Sequence, residues 1–171
     1  NITVSDECYQ RLSGRIVTSA GRFVLDGGDF PRRTDTSLEL APAQVEKLAE
    51  DFRKLYLSLK SADRMCYLTS FASEEEILTY GEGFHRLHSM YRAGGELVLH
   101  GRSPEGKIAL MNYGLSRVMV SRLARAGVAI AVCFAPPTSA AIQLANDYYI
   151  SVICTGLGEA MRVYSAPWRV I

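Results

Sequence analysis

No apolar stretch in this 171-residue chain approaches the ~20 residues that a membrane-spanning helix needs; the longest covers only residues 128–134. A secretory leader, with its basic, apolar and small-residue regions in order, is also missing. An excess of one charge is missing too. Nineteen basic residues stand against 18 acidic ones, for a formal net charge of +1, which excludes bulk electrostatic binding to nucleic acid or an anionic membrane. The four cysteines, Cys8, Cys66, Cys133 and Cys154, form no Cys-x-x-Cys pair, so neither a zinc ribbon nor a dithiol redox motif is present. There is no P-loop lysine motif and no defensible Ser-His-Asp order, and no acid pair stands out. A hydrolase of the zinc-deaminase type ranks low in the same way, because His-x-Glu and Pro-Cys-x-x-Cys are both absent.

What remains is an ordinary soluble composition, 48% hydrophobic and 22% charged, which is enough to build one sizeable core. Cys66, Cys133 and Cys154 sit in apolar, strand-like runs and read as small buried hydrophobes, whereas Cys8 lies in a mixed polar stretch. Thiols scattered in this way point to a reducing compartment, the cytoplasm. Residues 1–40 differ from the rest: Gly21, Gly27, Gly28 and Pro31 accumulate among charged residues and read as a mobile loop. We therefore divide the chain into an N-terminal segment, 1–40, and an α/β domain, 41–171.

In the domain, Pro42 opens a helix whose Val45, Leu48, Phe52, Leu55 and Leu59 form one stripe. The opposite face (Glu46, Lys47, Glu50, Asp51, Arg53, Lys54) reads as solvated surface. Strands are expected at 65–71 and 77–80 with an acidic turn between them, then a helix from 83 to 91 ending at Gly94-Gly95. Residues 96–106 show no clear pattern. Strands at 107–111, 128–134 and 150–154 alternate with helices at 116–126 and 138–147, and 160–164 supply a last strand. That alternation argues for crossovers onto a parallel sheet, and the hairpin makes the sheet mixed. The fold class is a layered α/β domain with a mixed, mostly parallel sheet.

Four turns could carry chemistry, and each has a purely structural alternative. Phe134-Ala135-Pro136-Pro137-Thr138-Ser139 leaves a buried strand for a helix, where Thr138 serves as a cap or the helix start receives an anion. Thr155-Gly156-Leu157-Gly158-Glu159 lets a ligand approach the backbone closely or forms a simple turn. Gly83-Phe84-His85, with His88 one turn on, offers a neutral hydrogen-bonding group or a satisfied half-buried histidine. Asn112-Tyr113-Gly114-Leu115-Ser116 offers a ring for stacking on a base and a helix cap. Four such loops at strand ends converging on one side would make a pocket.

Taken together, these segments resemble the formate dehydrogenase accessory sulfurtransferase family, FdhD. The resemblance is carried by Leu115-Ser116-Arg117-Val118 through Gly127, by Ala135-Pro136-Pro137-Thr138-Ser139 with its helix, and by Ile153-Cys154-Thr155-Gly156-Leu157-Gly158-Glu159-Ala160. Gly83-Phe84-His85 falls where the family has Gly-Arg-His, and the match runs from about Ile16 onward. The resemblance implies a cytidine-deaminase-like fold. It also implies binding of the bis-guanylated molybdenum cofactor (molybdenum bis(molybdopterin guanine dinucleotide)), carried as a client. The cofactor would be held by Thr155, Gly156, Leu157, Gly158, Glu159 and Ala160 together with Ser116, Thr138 and His85. The implied partners are a cysteine desulfurase, the formate dehydrogenase apoprotein and a second copy of the chain, with neither nucleic acid nor membrane. The family carries sulfur on a Cys-x-x-Cys loop, but after Thr18-Ser19-Ala20 those positions are Gly21 and Val24. Where the family's glycine loop has arginines, this chain has Leu157 and Ala160, and Asn112-Tyr113-Gly114 replaces a Ser-Gly-Arg turn. Without a thiolate there is no acceptor for a persulfide. Two readings stay open: an accessory protein that assists sulfuration and delivery of the cofactor, and a non-catalytic chaperone or binding module.

Overall fold

The computed structural model describes residues 33–34, 37–59, 66–156 and 160–171. Contacts divide the chain into two units, Asn1–Phe30 and Pro31–Ile171, and every described residue belongs to the second. Helix α1, Pro42–Leu59, begins where the sequence places it. Its first turn is closed by Gln44, whose side-chain oxygen accepts from the Ala41 amide at 2.8 Å. Val45, Leu48, Ala49 and Phe52 are buried; Leu55 and Leu59, at the far end of the expected stripe, are only partly so.

Strands β1 (Tyr67–Ala72) and β2 (Ile77–Gly83) form the expected hairpin. Its acidic turn is tied down by the Ser73 hydroxyl, which accepts from the amides of Glu75 and Glu76. Helix α2 runs over Arg86–Leu99, eight residues beyond the end drawn at 91, and passes straight through Gly94-Gly95. Each helical glycine costs ~1 kcal/mol relative to alanine, but burial of Met90, Ala93 and Leu97 outweighs that. The helix stops instead at His100 and Gly101, whose φ of +69° suits a glycine. Gly81 in β2 permits the close fit of α2, since a Cβ there would lie 2.4 Å from the Ala93 amide nitrogen and 2.5 Å from the Ser89 carbonyl oxygen.

The remaining elements follow the expected alternation: β3 (Ile108–Met111), α3 (Arg117–Arg125), β4 (Ile130–Cys133), α4 (Ser139–Asp147), β5 (Ser151–Cys154) and β6 (Arg162–Ser165). Gly127, with φ +71°, closes α3 as its position suggests. The six strands pair in the order β2-β1-β3-β4-β5-β6. β3, β4 and β5 are mutually parallel, whereas β1 is antiparallel to both its neighbours and β6 to β5. Hence β2, β3, β4 and β5 point the same way and the sheet is mixed.

Alternate residues of the central strands enter two separate cores. Leu68, Ile108, Leu110, Ile130, Val132 and Ile153 pack with Leu40, Leu48 and Phe52 on the α1 face. Ala109, Met111, Ala131, Cys133, Val152 and Cys154 pack under α2, α3 and α4. Leu38 and Leu40 are part of the first core, and Leu40 makes a parallel bridge to Val170. Among the described residues no helix is long and apolar enough to cross a membrane.

Candidate functional site

Because four strands share a direction, their C-terminal ends (Gly83, Met111, Cys133 and Cys154) lie along one rim, and all four candidate turns leave from it. Topology alone makes them neighbours; hydrogen bonds then fasten them. The Thr138 amide donates to the Leu115 carbonyl at 2.9 Å, joining the β4–α4 turn to the β3–α3 turn. Gly114 lies so close to Pro136 that a Cβ would sit 2.4 Å from its carbonyl oxygen. The Tyr113 hydroxyl donates to the Arg86 carbonyl at 3.1 Å, joining the same turn to the start of α2. Met111 and Cys133 carbonyls accept from the Phe134 and Thr155 amides, carrying the ladder to the end of the sheet.

His85 caps α2 and is exposed; its Nδ1 accepts from the Leu87 amide at 3.3 Å, which leaves the ring proton on Nε2. The His88 ring lies 5.3 Å from it, centroid to centroid. Thr138 caps α4 as expected, its hydroxyl accepting from the Ala141 amide at 3.3 Å. Ser116 occupies the cap position of α3, but its hydroxyl makes no capping bond. The first-turn amides of α3 and the Ser116 hydroxyl therefore stay open to an acceptor from outside. Thr155 is buried, its hydroxyl has no partner among the described residues, and it lines a cavity shared with α1. Its side chain thus serves the α1 side of the rim, whereas α2, α3 and α4 all start on the other. Gly156 is half-buried and Ala160 exposed; Leu157, Gly158 and Glu159 lie outside the described residues.

Two sequence readings are overturned here. Tyr113 does not offer its ring to a base: it is 3% exposed, and its hydroxyl is shared among Thr69 (2.6 Å), Ser89 (3.3 Å) and the Arg86 carbonyl. An aromatic with a polar tip is stable in a core once that tip is bonded. Cys66 is not a buried hydrophobe but half-buried, its sulfur 4.0 Å from a Glu82 carboxylate oxygen. Two cations also escaped the sequence reading. Arg86 and Arg117 are the first residues of α2 and α3, both exposed on the rim, so charges supposed to be missing enter from helix starts. The signal was there: each directly follows a cap residue, in His85-Arg86 and Ser116-Arg117. Arg86 also stacks its guanidinium over the Tyr67 ring at 5.3 Å.

Beneath the rim, Cys133 and Cys154 are register partners on adjacent parallel strands and face the same core. The hydrogen bond in which the protonated Cys133 thiol engages the Cys154 side chain, and then burial, push the Cys133 thiol well above its usual range. Burial likewise raises the Tyr113 phenol. Such thiols are poor nucleophiles. Both groups stay protonated in the fold where the unfolded chain would ionise, so the folded state binds more protons above pH 9.0 and 10.0, the ordinary values of thiol and phenol. Stability is thus complete below pH ~9 and falls above it, by up to ~1.4 kcal/mol per pH unit for each group. Urea melts at pH 8, 9 and 10 should show this loss, and Cys133→Ala should flatten the part that begins near pH 9.

Comparison with known proteins agrees with this architecture. The model of the FdhD/NarQ family matches residues 9–171. A "Sulfur carrier protein FdhD" from Shouchella clausii is 24% identical over 172 aligned residues, which cover 96% of this chain and 64% of the relative. The chain therefore spans a little under two thirds of that relative's length. Among solved structures, a protein assigned as a formate dehydrogenase accessory protein, from Desulfotalea psychrophila, superposes with a TM-score of 0.70 at 21% identity, covering 84% of this chain and 60% of its own. A dCMP deaminase from the cyanophage S-TIM5 superposes with a TM-score of 0.51 at 18% identity, covering 66% of this chain and 98% of the deaminase. The deaminase likeness gives the fold its cytidine-deaminase-like character, and the family match over nearly the whole chain gives its kinship: this chain belongs to the FdhD/NarQ family.

Proposed function

We propose that the chain is the α/β portion of a cytoplasmic accessory protein that binds the bis-guanylated molybdenum cofactor and assists its sulfuration and delivery to formate dehydrogenase. The partners proposed with it are the formate dehydrogenase apoprotein, a cysteine desulfurase and a second copy of the chain. One observation carries this reading: the helix starts of α2, α3 and α4 meet along one rim, with the α3 start uncapped by its own serine. A client bearing several phosphates needs such N–H groups and a few cations, and Arg86 and Arg117 stand at the first positions of two of these helices. The His85 Nε2–H and the Ser116 hydroxyl add neutral donors, and the Thr155–Gly156 exit from β5 closes the row. The client supplies the pterin dithiolene chemistry; the chain's part is to hold phosphates and guanine and keep the cofactor oriented.

Calorimetry with guanosine diphosphate is expected to give weak, salt-sensitive binding that falls in Arg117→Ala. Absence of heat up to millimolar nucleotide would remove cofactor binding from the reading.

A second reading is a non-catalytic binding module, favoured by Gly21 and Val24 at the family's cysteine positions and by the buried, hard-to-ionise Cys133. Incubation with a desulfurase and radiolabelled cysteine separates the two. Label held on the chain supports sulfur transfer, and an unlabelled chain that still binds nucleotide supports the module.

A further inference from the structure

The polar face of α1 is more than a solvated surface. Between it and the exit of β5 lies a cavity of about 320 Å³, lined by Glu46, Glu50 and Arg53 with Thr155 and Gly156, and by Ala49 and Met161 as apolar patches. Glu46, Glu50 and Arg53 follow helical spacings and form one ridge along the cavity. Arg53 bonds the Glu50 carboxylate through Nη1 and lies over the Phe134 ring at 5.4 Å, which orients its guanidinium along the cavity. Two polar atoms of cavity-lining residues are buried without a partner among the described residues: Arg53 Nε and Thr155 Oγ1. Thr155 is 7% exposed, so water does not relieve it. A buried donor left unpaired costs ~1–3 kcal/mol, and two beside one cavity mark a place where a ligand completes the set.

The charge around the cavity decides what kind of ligand that is. A phosphate dianion would face the Glu46 and Glu50 carboxylates; a simple cation would leave the Arg53 Nε–H donor unpaired. A molecule carrying both an acceptor anion and a donor cation satisfies every group.

We propose that this cavity is a binding site for a small zwitterionic α-amino acid. Both atoms are covered in this structure; after small side-chain rotations that uncover them, its carboxylate accepts from the Arg53 Nε–H and the Thr155 hydroxyl. Its ammonium lies between Glu46 and Glu50, and a short side chain rests on Ala49 and Met161. The site is distinct from the phosphate-binding rim, although the β5 exit borders both.

The test is a ¹⁵N NMR titration of the full chain with glycine, using acetate and methylammonium as the two half-ligands and guanosine diphosphate as the competitor. Glycine is expected to shift the Arg53 Nε–H resonance and the Thr155 and Gly156 amides along one saturating curve. Each half-ligand should bind about tenfold or more weakly. Glu46→Gln, at an exposed position that leaves the fold intact, should weaken glycine but not acetate; Arg53→Lys and Thr155→Val should weaken both. Acetate binding as tightly as glycine would make the cavity a plain anion site and overturn the proposal. So would nucleotide displacing glycine from the same resonances, or no shift at saturating glycine.

Discussion

Gly114→Ala is expected to abolish nucleotide binding while leaving the sheet folded. The new methyl would lie 2.4 Å from the Pro136 carbonyl oxygen and 3.3 Å from that of Ala135, both backbone atoms that no rotamer change can move. The two turns must separate, and the 2.9 Å bond from the Thr138 amide to the Leu115 carbonyl is lost with them. Overpacking of this kind costs ~1–3 kcal/mol, which a domain of this size survives. The rim does not survive, because the α3 and α4 starts no longer adjoin. Calorimetry should show binding gone while circular dichroism at 25 °C keeps the native spectrum. Unchanged affinity in a folded Gly114→Ala protein would separate the nucleotide from this rim altogether.

Arg169→Met is expected to produce the largest loss of stability. Arg169 is 4% exposed, and its guanidinium donates to the backbone carbonyls of Thr34 (2.9 Å), Leu38 (3.2 Å) and Tyr149 (3.3 Å). Methionine fills similar space but donates nothing, so these bonds are lost at a cost of ~2–5 kcal/mol in all. The drop in melting temperature should be about 5–15 °C. Trp168, the only tryptophan, lies edge-on to Tyr149 with ring centroids 5.6 Å apart, so its fluorescence should report the loosening directly. An Arg169→Met protein melting within about 2 °C of the parent would mean that these bonds contribute little net stability.

The elements most legible in the sequence were those whose own periodicity decides them. The α1 stripe from Val45 to Phe52, the capped start at Thr138 and the apolar runs around Ile130 and Val152 all stand where expected. Gly94-Gly95 misled because a glycine pair signals a stop only when nothing downstream anchors the helix, and Leu97, fully buried, anchors it. Tyr113 misled because a turn residue next to a glycine looks solvent-facing. Its partners Thr69 and Ser89 are 44 and 24 residues away in sequence and become neighbours only when β1 pairs with β3. Convergence of the candidate turns was foreseeable from the strand–helix alternation. The division of the rim between two faces was not, because it depends on which way Thr155 turns after Cys154. Arg53 escaped for the same reason: on its own helix it is one charge among many, and only the sheet behind it makes a cavity.

The bridge between Leu40 and Val170 carries a consequence for biosynthesis. Arg169 binds the Leu38 carbonyl across 131 residues, so the layer beneath α1 cannot close until residues 166–170 have cleared the ribosome. The hairpin with α2 meets no such delay, because its partners are sequence neighbours. During translation the apolar side of α1 finds Leu68, Ile108 and Ile130 first, and the segment around Leu38 and Leu40 is the last of that layer to be locked in place.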